Sequence, residues 1–184
     1  IGTEVAHRAA GFGMRILYHN RRRKTEAEEL LLGGYGQAKF CPTLKGLLEA
    51  SDYVVLSCPV SPSTVGMFGA DQFRSMRKGA ILINVARGVI VDTESMVQVL
   101  RERPDLRCAM DVTEPEPLPV DHALFADPRI RDRVIITPHI GSATSGTRLR
   151  MLQMAVANAK AGVEDQPLPT PVKESEPLNS RLRT

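Results

Sequence analysis

The chain has no tryptophan, aromatic residues make up only 4% of it, and cysteine occurs three times in 184 residues. Cys41, Cys58 and Cys108 are odd in number and share no Cys-x-x-Cys spacing. That argues against a disulfide framework or a zinc site and for a reducing, intracellular setting. No run of about 18 apolar residues occurs, so no segment reads as a membrane-spanning helix, and the opening residues carry no secretory signal pattern. The net charge of +3 is too small to argue for nucleic acid. The one dense basic run, Arg21-Arg22-Arg23-Lys24, lacks the interleaved aromatics of a base-stacking surface. Ile1 rather than methionine opens the sequence, from which we expect the native N-terminus to lie upstream.

What is present is an ordinary globular composition, 42% hydrophobic and 24% charged, enough for one core with an appendage. Short β-branched runs alternate with helical spacing. Residues 14–19, 53–58, 80–85, 106–112 and 133–138 read as strands. Residues 24–32, 43–50, 93–103 and about 145–162 read as helices. Thr43 is the expected cap of the second of these, and the helix over 93–103 is expected to have a capping threonine and to stop at Pro104. The first residues open directly on a helix, with Gly2 in its first turn and Val5, Ala6 and Ala9 as its packing stripe. This alternation, with strands apolar on both sides, predicts an α/β fold with a doubly wound parallel sheet covered on both faces. From Gln166 onward proline and polar residues dominate, and a loosely ordered tail is expected.

In such sheets ligands sit at the carboxyl ends of the strands. The predicted strands end in His19-Asn20-Arg21, Ser57-Cys58-Pro59, Asn84-Val85-Ala86-Arg87-Gly88, Asp111 and His139-Ile140-Gly141-Ser142. Polar groups at five tips along one edge predict a crevice. The stretch VIITPHIGSAT, residues 134–144, looks like a strand sealed in the sheet that delivers His139 at its tip. Histidine has the unperturbed pKa nearest neutrality and can therefore give and take a proton. A lone histidine is more often structural, and His7, His19 and His122 are read that way, although His19 lies near the crevice. Arg87, on a strand-to-helix turn, is either a surface residue or a planar fork for a carboxylate. The sequence DVTEPEPLP offers two carboxylates, Glu114 and Glu116.

Three segments then fall in order. INVARG (83–88), DVTEPEPLP (111–119) and TPHIGSAT (137–144) resemble the signature segments of the D-isomer-specific 2-hydroxyacid dehydrogenases. DVTEPEPLPVDHALF followed by TPHIGSAT is most similar to the glyoxylate/hydroxypyruvate reductases among them. The resemblance covers about residues 1–166. It implies a Rossmann-like NAD(P)-binding domain over residues 1–144, a helix at 145–166 returning toward a substrate domain, and a tail at 167–184. It also implies an N-terminally truncated fragment. The first strand, the first two glycines of the dinucleotide fingerprint and most of the substrate domain would lie upstream, leaving two strand edges unpaired.

By the same resemblance Arg87 binds the substrate carboxylate and polarises the ketone, His139 is the proton donor, and Glu116 orients its imidazole while Glu114 is solvated. Asp111 would accept a hydrogen bond from the nicotinamide carboxamide. Cys58, Pro59, Val85, Ala86, Gly141 and Ser142 would flank the cofactor, with the backbone of Ile1 and Gly2 facing the pyrophosphate at a helix N-terminus. No metal is expected. NAD-type members put an acid after the second strand to hold the ribose hydroxyls. Here Asn20 is followed by Arg21 and Arg22, so these are read as ligands of a 2′-phosphate, Arg21 first, although a solvated basic loop has the same composition. The expected reaction is hydride transfer from NADPH, with NADH as the lesser cofactor, to glyoxylate or hydroxypyruvate to give the D-2-hydroxy acid. A cytoplasmic homodimer without nucleic-acid or membrane partners is expected of the parent protein. The alternatives are a nucleotide-sensing, corepressor-like binding protein of the same fold and an inactive fragment.

Overall fold

In the computed structural model, which describes residues 1–33, 36 and 38–172, every described strand pairs in parallel. The fold is α/β. The first of two compact units, Ile1–His139, contains all of these strands. β1 (Leu17–Tyr18) pairs with β2 (Lys39–Phe40). β3 (Tyr53–Leu56), β4 (Ile81–Asn84), β5 (Arg107–Met110) and β6 (Val134–Ile136) form a second sheet in chain order. Among the described residues the two sheets do not pair with each other. β2 gives no signal in the sequence because it is two residues long and one of them is an exposed lysine. β1 keeps only two residues of the run at 14–19, since its ladder to β2 is equally short.

Helices alternate with these strands: α1 (Gly2–Gly11), α2 (Glu26–Gly33), α3 (Leu44–Ala50), α4 (Ala70–Ser75), α5 (Thr93–Glu102) and α6 (Ala123–Ala126). Along α1, Val5, Ala6 and Ala9 are half-buried beside a buried Ala10, the stripe expected from their spacing. α2 starts with a capping box. The Glu28 backbone N–H donates to Thr25 Oγ1, and Thr25 N–H donates back to Glu28 Oε2. Thr43 caps α3 by accepting from Gly46 N–H at 3.1 Å. The cap of α5 differs from the expected threonine. Asp92 occupies that position and accepts from Ser95 N–H, which puts Thr93 inside the helix and frees its hydroxyl to donate to the Glu114 carbonyl.

The core lies on one face of the larger sheet. Val54, Leu56, Leu82, Cys108 and Met110 are buried together with Leu48 of α3, Phe73 of α4 and Met96, Val99 and Leu100 of α5. Phe68 meets Phe73 edge-on, with ring centroids 4.8 Å apart. Burial pushes the Cys108 thiol up to about 12, so it is an inert packing group at neutral pH. The opposite face is less covered than the uniformly apolar strands imply: Val55, Ile83 and Ala109 are half-buried and Ile135 is 68% exposed. The strand that looks sealed is an edge strand. β6 is hydrogen-bonded to β5 alone among the described residues.

Two arginines close the ends of the core helices. The guanidinium of Arg103 donates to the carbonyls of Phe73, Arg74, Met76 and Arg77 around the end of α4, and to Asp105 at 2.6 Å. Arg133 donates to Leu100, Arg103 and Leu106 around the end of α5. Phe73, Arg74 and Leu100 lie in the last turns of their helices, where carbonyls lose intrahelical partners, the other acceptors lie in the chain that follows, and each guanidinium serves several at once. Arg103→Met is therefore expected to destabilise the fold by about 2–4 kcal/mol at neutral pH. Arg103 holds the Asp105 carboxyl down at about 2, below its ordinary 3.8. A depressed carboxylate contributes stability above its unfolded pKa and loses it as pH falls through its folded one. The difference between wild type and Arg103→Met, read from urea melts, should shrink as pH falls from about 4 toward 2.

The second unit, Ile140–Thr184, contains α7 (Ser145–Val163), capped by Thr144, which accepts from Thr147 N–H at 3.3 Å. Leu149, Leu152 and Val156 of α7 are exposed. Thr170 donates its N–H to Asn158 Oδ1, and the Asn158 amide donates to Thr170 Oγ1, so the chain just past α7 is tied back to it. Most of the tail expected to be loosely ordered, residues 173–184, lies outside the described residues. Among the described residues no helix is long and apolar enough to cross a membrane.

Candidate active site

The register of the larger sheet decides where its chemistry gathers. Leu56 lies opposite Asn84, Asn84 opposite Met110, and Met110 opposite Ile136. The next residues continue that row: Val85 N–H donates to Leu56 O, Asp111 N–H to Asn84 O, and Thr137 N–H to Met110 O. Ser57-Cys58-Pro59, Val85-Ala86-Arg87, Asp111 and Thr137-Pro138-His139 therefore leave the sheet along one carboxyl edge. The edge was legible in the sequence; its in-phase register was not.

His139 has a left-handed backbone, φ 53, which is uncommon for a residue with a side chain. That turn brings its Nδ1 to 2.7 Å from Glu116 Oε1, joining the tip of β6 to the loop after β5. The hydrogen bond from the imidazole is the main reason the Glu116 carboxyl lies below the ordinary carboxylate range, helped by a weak backbone bond from Thr113 and by the fields of His139 and Arg87. An ionised carboxylate can only accept, so the proton in this bond sits on Nδ1, and Nε2 lies outside the pair. Both side chains are nearly half exposed. A cavity of about 440 Å³ opens beside them, with His139, Glu116, Asp111 and Thr137 on its polar side and Leu118, Phe125 and Ile136 on its apolar side. Glu114 is exposed and contributes its backbone carbonyl to Thr93 rather than a carboxylate to the cavity.

Three neighbours of these groups carry no obvious chemical signal in the sequence. Asn84 is fully buried, and its side chain donates to Arg87 O and accepts from Ala86 N–H, each at 3.0 Å, so the turn that presents Arg87 is clamped from beneath. The exposed Arg87 guanidinium bends back to its own Ala86 carbonyl at 2.6 Å. Gly88 lies so close to the Thr113–Glu114 backbone that a methyl group would overlap the Thr113 carbonyl. Thr137 donates to Asp111 Oδ1 at 2.5 Å and fixes that carboxylate at the edge. A buried asparagine at a strand end and a hydroxyl two residues before His139 were the available hints.

At the other end of the edge, α1 begins at Gly2, where a Cβ would come within 2.7 Å of Ser57 Oγ. Burial raises the Cys58 thiol, and Pro59 beside it is exposed. In the basic run Arg23 pairs with Glu29 and Lys24 with Glu28, while Arg21 and Arg22 are exposed with no acidic partner among the described residues. Asn20 Oδ1 accepts from Arg21 N–H. His19 Nδ1 donates to the Cys41 carbonyl and His122 accepts from Leu124 N–H, both structural roles. Gly141 and Ser142 belong to the second unit. Among the described residues no group of three metal-ligating side chains converges.

Residues 1–141 match the profile of the D-isomer specific 2-hydroxyacid dehydrogenase NAD binding domain. The chain is 43% identical over 174 residues to a glyoxylate reductase of Thermococcus gammatolerans, which uses 95% of this chain and 49% of the relative. It is 41% identical over 165 residues to glyoxylate/hydroxypyruvate reductase B of Escherichia fergusonii, with 89% and 48% covered. Among solved structures, an NADPH-dependent glyoxylate/hydroxypyruvate reductase from Sinorhizobium meliloti in complex with NADP and malonate superposes with a TM-score of 0.79 at 32% identity, over 93% of this chain and 49% of that one. The chain spans about half the length of the relatives it matches. Its parallel sheet, the in-phase edge and the profile match agree: the chain belongs to the D-isomer specific 2-hydroxyacid dehydrogenase family and carries that family's NAD binding domain.

Proposed function

We propose that this chain is the nucleotide-binding and proton-transferring part of an NADPH-dependent reductase of small 2-keto acids, with glyoxylate or hydroxypyruvate as substrate and the D-2-hydroxy acid as product. The observation that carries this reading is the 2.7 Å pair of His139 and Glu116 at the carboxyl edge of the sheet. The relatives named above as glyoxylate and hydroxypyruvate reductases support the substrate class.

The residues present fit a dinucleotide. Gly2 leaves open a space that a side chain would fill against Ser57, and the first N–H groups of α1 point out of the helix there, suited to a pyrophosphate with Ile1 beside them. Arg21 and Arg22, next to Asn20, suit a 2′-phosphate. Asp111, fixed by Thr137, suits the carboxamide of a nicotinamide. Cys58, Pro59, Val85 and Ala86 line the edge between these points, with Gly141 and Ser142 beyond His139 assigned to the cofactor as well. A bound NADPH would supply a hydride to the carbonyl carbon of the keto acid.

The chain's own groups do the rest. Arg87 binds the substrate carboxylate through its planar fork and draws charge toward the ketone oxygen. His139 enters as imidazolium and gives the Nε2 proton to that oxygen as the carbon is reduced, ending neutral. Glu116 stays ionised, holds Nδ1 and stabilises the imidazolium before transfer.

The cofactor assignment is tested by initial rates of glyoxylate and hydroxypyruvate reduction with each cofactor. Arg21→Ala should raise the KM for NADPH by about tenfold or more and the KM for NADH by less than about twofold. Equal changes for both cofactors would defeat the phosphate assignment.

A further inference from the structure

Glu29 is 1% exposed, the most buried charged side chain among the described residues, and the proposed chemistry does not use it. An acid in that position is costly unless it is fully engaged. Tyr18 Oη donates to its Oε1 at 2.6 Å, and Arg23 donates Nε to Oε1 and Nη2 to Oε2, both at 2.9 Å. Tyr18 Oη in turn accepts from the backbone N–H of Lys24 at 2.8 Å. Glu29, Arg23 and Phe40 line a cavity of about 380 Å³.

These bonds bracket a loop. Its first end leaves β1 at Tyr18, whose ring lies 5.3 Å from that of Phe40. Its second end is held by Arg23 on Glu29 and by Lys24 N–H on Tyr18. Between the two clamps lie His19, Asn20, Arg21 and Arg22. The same pairing takes Arg23 out of the set of free cations, so the uncompensated charge of the run is confined to Arg21 and Arg22 at the tip.

We propose that Glu29 is a positioning residue for cofactor selectivity: by holding Arg23 directly and the Lys24 backbone through Tyr18, it fixes the loop on which Arg21 and Arg22 meet a phosphate at the ribose 2′ position. The proposal rests on the NADPH reading above. Packing alone would be served by an apolar residue on α2; a buried carboxylate there ties the loop to the helix with direction. The clamp acts on the 2′-phosphate contacts and leaves the rest of the adenosine site alone.

The test is calorimetric binding of adenosine 2′,5′-bisphosphate and of 5′-AMP, which differ only in the 2′-phosphate, to the enzyme that carries this chain. Wild type should prefer the bisphosphate. Glu29→Gln should lower that preference by about tenfold while changing 5′-AMP affinity less than about twofold. Tyr18→Phe keeps the ring, removes the hydroxyl, and should lower the preference in the same direction by less. A ratio of two affinities is insensitive to a reduced folded fraction, which scales both ligands alike. If Glu29→Gln weakens both ligands equally, or keeps the wild-type ratio, Glu29 is structural only and the proposal is wrong. If Glu29→Gln does not fold, Tyr18→Phe decides: a reduced preference supports the clamp and an unchanged one overturns it. If wild type shows no preference at all, the NADPH reading itself fails, and the role proposed for Glu29 falls with it.

Discussion

His139→Asn should lower kcat for keto-acid reduction by about 10²–10⁴-fold while leaving the melting temperature close to that of wild type. Asparagine tolerates the left-handed backbone that His139 adopts at φ 53, so the turn after β6 is kept. It cannot deliver a proton at the position of Nε2. Alanine at the same site confounds two effects, since it loses the imidazole and is less suited to the left-handed region. The asparagine variant separates proton transfer from backbone strain. Turnover within about tenfold of wild type would remove His139 as the acid.

Gly88→Ala should be the most damaging single methyl in the site. The requirement at this position is close approach: an added Cβ would overlap the Thr113 carbonyl and crowd the Glu114 nitrogen, all backbone atoms. Either the turn carrying Arg87 or the loop carrying Glu116 must move. A loss of about 3 kcal/mol or more in stability is expected. In whatever remains folded, kcat/KM should fall by about a hundredfold, because misplacement of an orienting group by about 1 Å costs that much. A Gly88→Ala protein with wild-type stability and kinetics would show that the two loops are not held together as described.

Much of this site was legible because its signals are local. Strand tips, the Thr43 cap and each of the three short segments depend on residues within a few positions of one another. What the sequence hid depends on contacts across long separations. Arg103 serves carbonyls such as that of Met76, 27 residues earlier in the sequence. Thr137 finds Asp111, and Gly88 touches Thr113, only because β4, β5 and β6 align in phase. Glu29 looks like one of several acids on a charged helix until its burial is seen. The apolar run at 134–136 suggested a sealed strand because apolar composition reports what a face prefers, whereas exposure of Ile135 depends on whether anything covers it. The cap of α5 was misplaced by one residue because Asp92 and Thr93 are both good caps and only geometry chooses between them.

The pH dependence of glyoxylate and hydroxypyruvate reduction, measured for wild type and His139→Asn at saturating NADPH, is the most direct test of the paired site. The imidazole of His139 holds the Glu116 carboxyl below its ordinary value, so the pair persists to lower pH than an isolated glutamate would allow and is lost as pH falls further. Reduction consumes a proton from the imidazolium, so kcat/KM should fall toward alkaline pH. The reverse oxidation should rise over the same interval. His139→Asn should show low activity with that alkaline fall abolished. An alkaline fall that survives unchanged in His139→Asn would contradict His139 as the proton donor and Glu116 as its partner.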